Sequence, residues 1–208
     1  MKAAHICSAL LVALLLASCS KPGDLKVQRA MDAYKKQQYE EALGLFMQAA
    51  EEETNYSKET LYTFISTIYT MQEEYEEAVA FQKKSLALKK DYRTIISLAM
   101  NCHLLGKDEE AEAACKEAIS FAPEKAEAYA MLGALHLGQD NAAAAVEHLK
   151  KARDISPKLS VVRANLAVAY AKIGDFAGAE TELAAARNLK CENLGEFERR
   201  VEEIRAAE

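Results

Sequence analysis

Small residues recur along the chain at a nearly constant distance. An alanine belongs to each of five acidic or small-residue blocks, with spacings of 36, 33, 34 and 34 residues, at Ala42, Ala78, Ala111, Ala145 and Ala179. Seven positions after each comes another small residue: Ala49, Ser85, Ala118, Ala152 and Ala186. Residues seven apart share one face of an α-helix, and small side chains there let two helices approach closely. A period near 34 residues is typical of stacked helical hairpins.

Proline and glycine support the same division of the chain. Pro123 and Pro157 are also 34 residues apart, and each falls where the second helix of a hairpin should end. Gly106 and Gly174 fall at the turns between paired helices, where a positive φ is needed. The 36-residue spacing between the first two alanines predicts a two-residue loop insertion within 53–58.

The repeating unit resembles the tetratricopeptide repeat (TPR). Residues 126–159 match its pattern of aromatic, Leu-Gly, Ala and Pro positions with Tyr129, Leu132, Gly133, Ala145, Leu149, Ala152 and Pro157. Residues 160–193 and 92–125 match in the same register, and 24–57 and 58–91 match more loosely. The resemblance implies an all-α TPR solenoid, a right-handed superhelix of five helical hairpins over residues 24–192.

The last segment, 193–208, has one apolar stripe on an otherwise charged helix. The stripe is formed by Leu194, Phe197, Val201 and Ile204. A single apolar face of this kind predicts a C-terminal capping helix that covers the open end of the solenoid. Asn193 and Glu196 have the spacing of an N-terminal capping box.

The N-terminus has a different pattern. The apolar run 6–17 is 12 residues long, short of the roughly 20 that span a bilayer. It ends in Leu16-Ala17-Ser18-Cys19, which resembles the lipobox of bacterial lipoproteins. The resemblance implies that residues 1–18 are a removed signal peptide, that Cys19 is lipidated, and that 19–23 form a short tether. Ser20 after the cysteine is similar to lipoproteins sorted to the outer membrane, which implies a periplasmic location; with one membrane, the protein would lie on its outer face.

Charge excludes one class of partner. The chain has 26 basic and 32 acidic residues, a net charge of −6. Nonspecific nucleic-acid binding requires clustered Lys and Arg, so it is not expected. The sequence also has no polybasic block for anionic lipid, and anchoring is therefore assigned to the acyl chains.

Residues that could carry chemistry do not form a known site. No Gly-rich phosphate loop, nucleophile elbow or Ca²⁺ loop occurs, so no enzymatic activity and no cofactor are expected. The histidines lack the i+3 or i+4 spacing of a helical metal site. Cys102 and Cys115 fall on apolar helix faces and are interpreted as core residues; disulfide formation by these or Cys191 stays open.

In TPR proteins the first helix of each repeat lines a concave groove. That register implies partner-binding residues in the second and third repeats: Thr63, Thr67, Thr70, Met71, Ile96, Met100 and His103. It also assigns Ala164 and Val168 of the fifth repeat to the groove. Such a face of mixed polarity suits a partner helix or an extended peptide.

Two functions follow from this reading. The first is a membrane-anchored TPR adapter that binds an envelope protein or peptide through the groove. The alternative is a ligand-binding component that encloses a small apolar molecule, as a partner of a solute transporter. A closed cavity of about 300 Å³ or more favours the ligand, and an open groove with an exposed apolar strip favours the adapter.

Overall fold

The computed structural model describes residues 21–207, and every regular element in that range is an α-helix. The predicted signal peptide and the predicted lipidation site, Cys19, lie outside the described residues. The helices of the described range are α1 (Pro22–Lys35), α2 (Tyr39–Glu51), α3 (Lys58–Met71), α4 (Tyr75–Leu88), α5 (Tyr92–Leu104), α6 (Asp108–Phe121), α7 (Ala126–Gly138), α8 (Ala142–Ile155), α9 (Ser160–Lys172), α10 (Phe176–Asn188) and α11 (Leu194–Ala206). The expected all-α fold of a TPR solenoid is confirmed.

The turns inside the five hairpins share one backbone conformation. The second residue after the first helix has a positive φ between 59° and 79°, at Gln37, Glu73, Gly106, Asp140 and Gly174. The next N–H donates back to a carbonyl five residues earlier, at 2.8–2.9 Å, as from Lys107 to Cys102. This arrangement satisfies carbonyls that the helix end leaves free. The prediction of Gly106 and Gly174 at these turns is confirmed, and three non-glycine residues adopt the same conformation.

The chain divides into two compact units, with the boundary after Thr94, inside α5. Unit 1 contains α1 to α4, in which α1 packs on α2, α2 on α3, and α3 on α4. Its core surrounds Phe46, Leu61, Ile65 and Ile68, which are fully buried. Apolar residues at helical spacing therefore bury one side of each helix, as the repeat requires.

Unit 2 contains α6 to α11, with α7 against α6, α8 and α9, and α9 against α8 and α10. Its core combines Leu149, Leu166 and Val168 with many alanines. Gly133 on α7 faces Leu149 on α8 so closely that an added Cβ would lie 2.5 Å from Cγ of Leu149. A glycine at this repeat position therefore permits the close approach of the two helices.

The predicted capping helix is present as α11 and packs on α9 and α10. Val201 is buried, and Leu194, Phe197 and Ile204 pack against the same core. Its predicted capping box is wrong: Asn193 is in the left-handed region at φ 55°, and its side chain makes no cap hydrogen bond. Its backbone carbonyl instead accepts the Glu196 N–H at 2.9 Å, because the tight turn directs the side chain elsewhere.

Two further expectations can be compared with the helix bounds. The loop 52–57 has six residues against four in 122–125 and 156–159, which confirms the two-residue insertion. α1 begins at Pro22, two residues before the expected Asp24. Proline at the first helical position accounts for this, since its fixed φ suits that position and its missing N–H is not needed there.

None of the helices within residues 21–207 is long and apolar enough to cross a membrane.

Candidate protein-binding faces

The threonines predicted to line the groove form a stripe on α3. Thr67 is exposed, and Thr63 and Thr70 are half-buried. Each hydroxyl donates to the carbonyl four residues earlier on the same helix, at 2.8–3.0 Å. The stripe therefore presents the threonine methyl groups and the remaining oxygen lone pairs to a partner. Because each hydroxyl already donates a hydrogen bond, a partner that covers the stripe leaves no donor unsatisfied. We call Thr63, Thr67, Thr70 and Met71 the α3 face.

Met71 ends the α3 face with an exposed apolar side chain. It is 49 % exposed, although the Tyr34 hydroxyl lies 3.3 Å from its sulfur. That contact orients a flexible side chain without burying it. Methionine adapts its shape to different surfaces, so an exposed, oriented methionine suits contact with a partner.

A cavity of about 340 Å³ opens beside the N-terminal part of the α3 face. Its lining residues come from α3, α4, the loop 89–91 and the start of α5: Glu59, Thr60, Thr63, Phe64, Ser85, Lys89, Asp91 and Arg93. Phe64 stacks on the buried Phe46 with ring centroids 5.0 Å apart, so this wall is rigid. Ser85 and Thr63 are joined by a 3.0 Å hydrogen bond between their hydroxyls. The cavity thus joins one aromatic wall to a polar rim.

The charged side chains of this cavity differ in whether they already have hydrogen-bond or ion-pair partners. The Asp91 carboxylate accepts the N–H and the hydroxyl of Thr94 at 2.9 and 3.1 Å. A hydrogen bond from Ser57 lowers the pKa of Glu59, and the nearby Lys89 lowers it further. Among the described residues, no carboxylate forms an ion pair with Arg93. Its exposed guanidinium is therefore available to an acidic or carbonyl group of a partner.

Ile96 and Met100, the other apolar groove residues predicted, lie on α5 with one residue that the sequence analysis missed. Met100 is 50 % exposed, Leu104 is 52 % exposed, and Ile96 is half-buried. Their spacing of four places them along one stripe of the helix. Leu104 could have been found by continuing that spacing. We call Ile96, Met100 and Leu104 the α5 face.

His103, next to this stripe, is engaged with the following helix. Its Nδ1 lies 2.8 Å from Oδ1 of Asp108, and both side chains are about half exposed. The contact joins the end of α5 to the beginning of α6. His103 is therefore better explained as part of this turn than as a free ligand for a partner.

The fifth repeat does not present the face expected from the sequence. Ala164 and Val168 are fully buried, because α11 packs on α9. Their assignment to a groove is wrong, since the capping helix covers the residues that a partner would contact in an inner repeat. Val161, near the start of α9, is 49 % exposed.

The cysteines and histidines provide no catalytic arrangement in the described residues. Cys102, Cys115 and Cys191 are not joined in disulfides, the first two are buried, and burial raises the pKa of the Cys115 thiol to about 12. A thiol so protonated is a core residue and not a nucleophile. No group of three metal-ligating side chains occurs between residues 21 and 207.

His136 and His148 form a pair that their separation in sequence did not suggest. Their rings stack at 5.3 Å with an interplanar angle of 17°. Burial lowers the pKa of His148, and the neighbouring His136 lowers it further. The stacked rings at this position replace the aromatic residue that the repeat pattern favours on α7, so the pair is a packing feature.

The start of unit 1 is held by a buried carboxylate. Asp24 accepts the Asn55 N–H and the Thr54 hydroxyl, both at 2.7 Å, and the Lys21 N–H at 3.0 Å. These bonds, led by the one from the Asn55 backbone, hold the pKa of Asp24 at about 2. Gly23 donates to the Glu53 carbonyl at 2.9 Å. The inserted loop 52–57 thus fastens the first turn of α1.

Helical hairpins with small residues at the crossings, recurrent left-handed turns and a capping helix define a class of helical-repeat proteins. Comparison with known families identifies which one. Profiles described as tetratricopeptide repeat match residues 60–91, 92–125 and 136–190, together more than half of the chain. The chain is a tetratricopeptide-repeat protein. No curated protein matches its sequence.

Solved structures share this fold. A tetratricopeptide repeat protein from Parabacteroides merdae ATCC 43184 is 19 % identical, with a TM-score of 0.78 over 87 % of this chain and 72 % of that one. The structure of residues 41 to the end of MamA from Desulfovibrio magneticus RS-1 is 19 % identical, with a TM-score of 0.72 over 81 % of this chain and 95 % of that one. YrrB, described as a TPR protein with an unusual peptide-binding site, is 19 % identical, with a TM-score of 0.66 over 81 % of this chain and 87 % of that one.

Proposed function

We propose that this chain is a lipid-anchored adapter of the bacterial envelope, which binds a protein partner through the first helices of its repeats. TPR proteins as a class bind peptides or proteins. The observation that carries the proposal is the α5 face, where Met100 and Leu104, one turn apart, each expose half of their surface. Exposed long apolar side chains at this spacing match the apolar stripe of a partner helix.

The α3 face extends the proposal to unit 1. Its threonines have their hydroxyls satisfied, so covering them leaves no buried donor without a partner. The adjacent cavity of about 340 Å³ has an aromatic wall in Phe64 and an unengaged guanidinium in Arg93. A side chain with a carboxylate or amide end fits this combination. YrrB, with the same fold, is described as having a peptide-binding site.

The cavities do not favour the alternative of an enclosed apolar ligand. Five cavities within the described residues have volumes of about 310 to 470 Å³. Each is an open surface depression with charged side chains on its lining, and none resembles an apolar enclosure. Open faces of this kind suit a macromolecular partner.

The anchor is assigned to Cys19, on the resemblance of Leu16-Ala17-Ser18-Cys19 to a lipobox. Ser20 favours the periplasmic face of the outer membrane. Replacing Cys19 by Ala in the native cell should leave the unprocessed precursor and abolish acyl labelling. A Cys19→Ala protein that is still labelled and processed like the wild type contradicts the anchor.

A site-specific crosslinking experiment tests the binding faces. A photoreactive amino acid is placed at Met100 on the α5 face, and in a separate strain at Glu109, an exposed position on α6. The residue at position 100 should form a discrete crosslink, and Leu104→Glu should reduce its yield at unchanged protein level. Position 109 should form none. A crosslink from position 109 and none from position 100 places the partner on the second helices and overturns the proposal.

A further inference from the structure

The exposed side of α1 brings basic residues together that are scattered in the sequence. With 100° per residue, Lys21, Leu25, Arg29 and Lys36 project from one side of the helix. All four are exposed, and Leu25, between them, is 64 % exposed, the largest value of any large apolar residue in the described range. Gln28 and Lys35 border this side, and Asp32 lies within it, at an angle between those of Lys21 and Leu25. We call this set the α1 face.

The α1 face is positive in an acidic protein. It has four basic residues and one acidic residue, Asp32, whereas the whole chain has a net charge of −6. Asp32 lies 3.9 Å from Nζ of Lys35, and Glu41 of α2 borders the same surface near Arg29. Lys26, the remaining basic residue of the helix, points elsewhere and pairs with Glu52. A positive charge therefore remains after these acidic neighbours are counted.

The beginning of α1 has little freedom to move relative to the rest of unit 1. The bond from Gly23 to Glu53 and those from Thr54 and Asn55 to Asp24 fasten its first turn to the loop 52–57. An added Cβ at Gly23 would lie 3.0 Å from Cβ of Thr54, so the two backbones are in close contact. The direction of α1 is thus fixed at the point where the chain enters the structure.

The lipid-bearing residue is close to this fixed point. Only Ser20 and Lys21 separate Cys19 from Pro22, the first residue of α1. Consecutive Cα atoms are 3.8 Å apart, so Cys19 and Pro22 are separated by at most about 11 Å. A headgroup layer lies within that distance of a residue whose acyl chains enter the bilayer. α1 therefore cannot be far from the membrane surface if Cys19 is anchored.

We propose that the α1 face lies on the anionic phospholipid headgroups of the membrane in which Cys19 is anchored. The inference rests on the proposed function, which supplies the anchor. Lys21, Arg29, Lys35 and Lys36 contact lipid phosphates, and Leu25 enters the boundary between headgroups and acyl chains. The sequence has no polybasic block, but helical spacing collects the charge that such a block would supply. The contact gives the α3 face, which belongs to the same unit as α1, a defined orientation at the membrane.

Fluorescence quenching on vesicles tests the contact with the lipidated full-length mature protein. A polarity-sensitive dye is attached at Gln28→Cys on the α1 face, in a Cys191→Ser background that leaves Cys102 and Cys115 buried. The matched position is Gln48→Cys, exposed on α2. Vesicles contain phosphatidylethanolamine with or without phosphatidylglycerol, and neutral acrylamide in the water is the quencher.

The dye at position 28 should be quenched about threefold less than the dye at 48 in vesicles with phosphatidylglycerol, and high salt should remove the difference. Arg29→Glu with Lys36→Glu should also remove it. Lys150→Glu with Lys151→Glu, a pair of exposed basic residues on α8, should leave it unchanged.

Equal quenching at both positions while the protein floats with vesicles overturns this inference and leaves the anchor intact. Equal protection without phosphatidylglycerol overturns the role of the basic residues. Protection that requires an added protein assigns the α1 face to an acidic partner and also overturns it. A protein that floats with neither vesicle overturns the lipid anchor, and the inference fails with it.

Discussion

Units 1 and 2 build the same hairpins with different core residues. Alanine supplies half of the buried apolar cluster in both, because the helix crossings need small side chains in each. Aromatic rings make the difference: Phe46 is fully buried in unit 1, and seven tyrosines and phenylalanines pack around its core, against four in unit 2. In unit 2 branched aliphatic residues fill the same space. The repeat therefore restricts the residue type closely at the helix crossings and only loosely in the rest of the core.

The units also differ in how they hold a buried carboxylate. In unit 1, the partners of Asp24 are neutral donors from Thr54 and Asn55. In unit 2, Glu182 lies between two guanidinium groups, 2.9 Å from Arg153 and 2.7 Å from Arg163. Neutral donors complete a loop contact, while the charged set joins α8, α9 and α10. Removing either carboxylate leaves different groups without a partner.

The largest expected effect is that of Phe46→Ala in unit 1. Phe46 is fully buried and stacks on Phe64, so truncation leaves a cavity and removes an aromatic contact. The free energy of unfolding should fall by about 3–5 kcal/mol, measured by urea denaturation. Phe121→Ala in unit 2, at a side chain 51 % exposed, should change it by less than about 0.5 kcal/mol. Similar losses in the two variants would show that burial and the contact with Phe64 are not what make Phe46 important for stability.

Glu182→Ala should be the most damaging single loss of charge in unit 2. It leaves Arg163 without its carboxylate and Arg153 with only the exposed Asp154. Breaking a buried pair costs about 3–5 kcal/mol, and we expect the lower end because both arginine side chains are about a fifth exposed. Thermal and urea unfolding measure the loss.

Glu180→Ala, on the same helix, is the control for that experiment. Its partner is Arg205, and the Glu180 side chain is 66 % exposed. Exposed pairs contribute less than about 1 kcal/mol, so the variant should unfold almost as the wild type does. If Glu180→Ala costs as much as Glu182→Ala, burial is not what gives Glu182 its importance.

The fold was predictable because the repeat imposes small residues at fixed positions, as at Ala145 and Gly133. Two local features were not predictable from spacing. Gln37, Glu73 and Asp140 adopt left-handed turns that only glycine signals in a sequence. The bonds of Glu182 span three helices, so nothing near it in sequence indicates its partners. The local sequence pattern therefore predicts where small residues and glycines are needed. It does not predict polar contacts between residues far apart in the sequence, because those depend on how the helices pack.

The candidate site was predicted in part for the same reason. Thr67 and Met100 lie exposed at the predicted repeat positions, because the register follows from the core residues. Ala164 and Val168 were misassigned, since the register does not show that α11 covers the last repeat. The basic α1 face was missed because its basic residues are spread over 21–36, with only Lys35 and Lys36 adjacent in the sequence.

Ala145→Leu in unit 2 should cost about 1–3 kcal/mol in unfolding free energy. Ala145 is fully buried, and extra methylene groups force helices apart at the crossing. Ala42→Leu tests the equivalent alanine of unit 1, also fully buried. Because alanine has the same role in both cores, the two losses in urea denaturation should agree within about 1 kcal/mol. A loss confined to one unit would show that the crossings are not equivalent.

The smallest effects are expected at the left-handed turns, where the units differ in residue type. Gly106 has φ 69°, and an added Cβ meets nothing within 4 Å, so Gly106→Ala should cost about 1 kcal/mol from backbone strain alone. Glu73 has φ 62° without being glycine, so Glu73→Gly should stabilise by about 0.5 kcal/mol.

Gly138 separates backbone strain from a general effect of adding a methyl group. It also has open space around its Cα, but it lies in the last turn of α7 and not in the left-handed region. Gly138→Ala should therefore stabilise the helix, by up to about 1 kcal/mol, where Gly106→Ala destabilises. Urea midpoints of the three variants measure the differences. The same sign for Gly106→Ala and Gly138→Ala would show that φ does not determine stability at these turns, and no gain from Glu73→Gly would show that unit 1 carries no strain at Glu73.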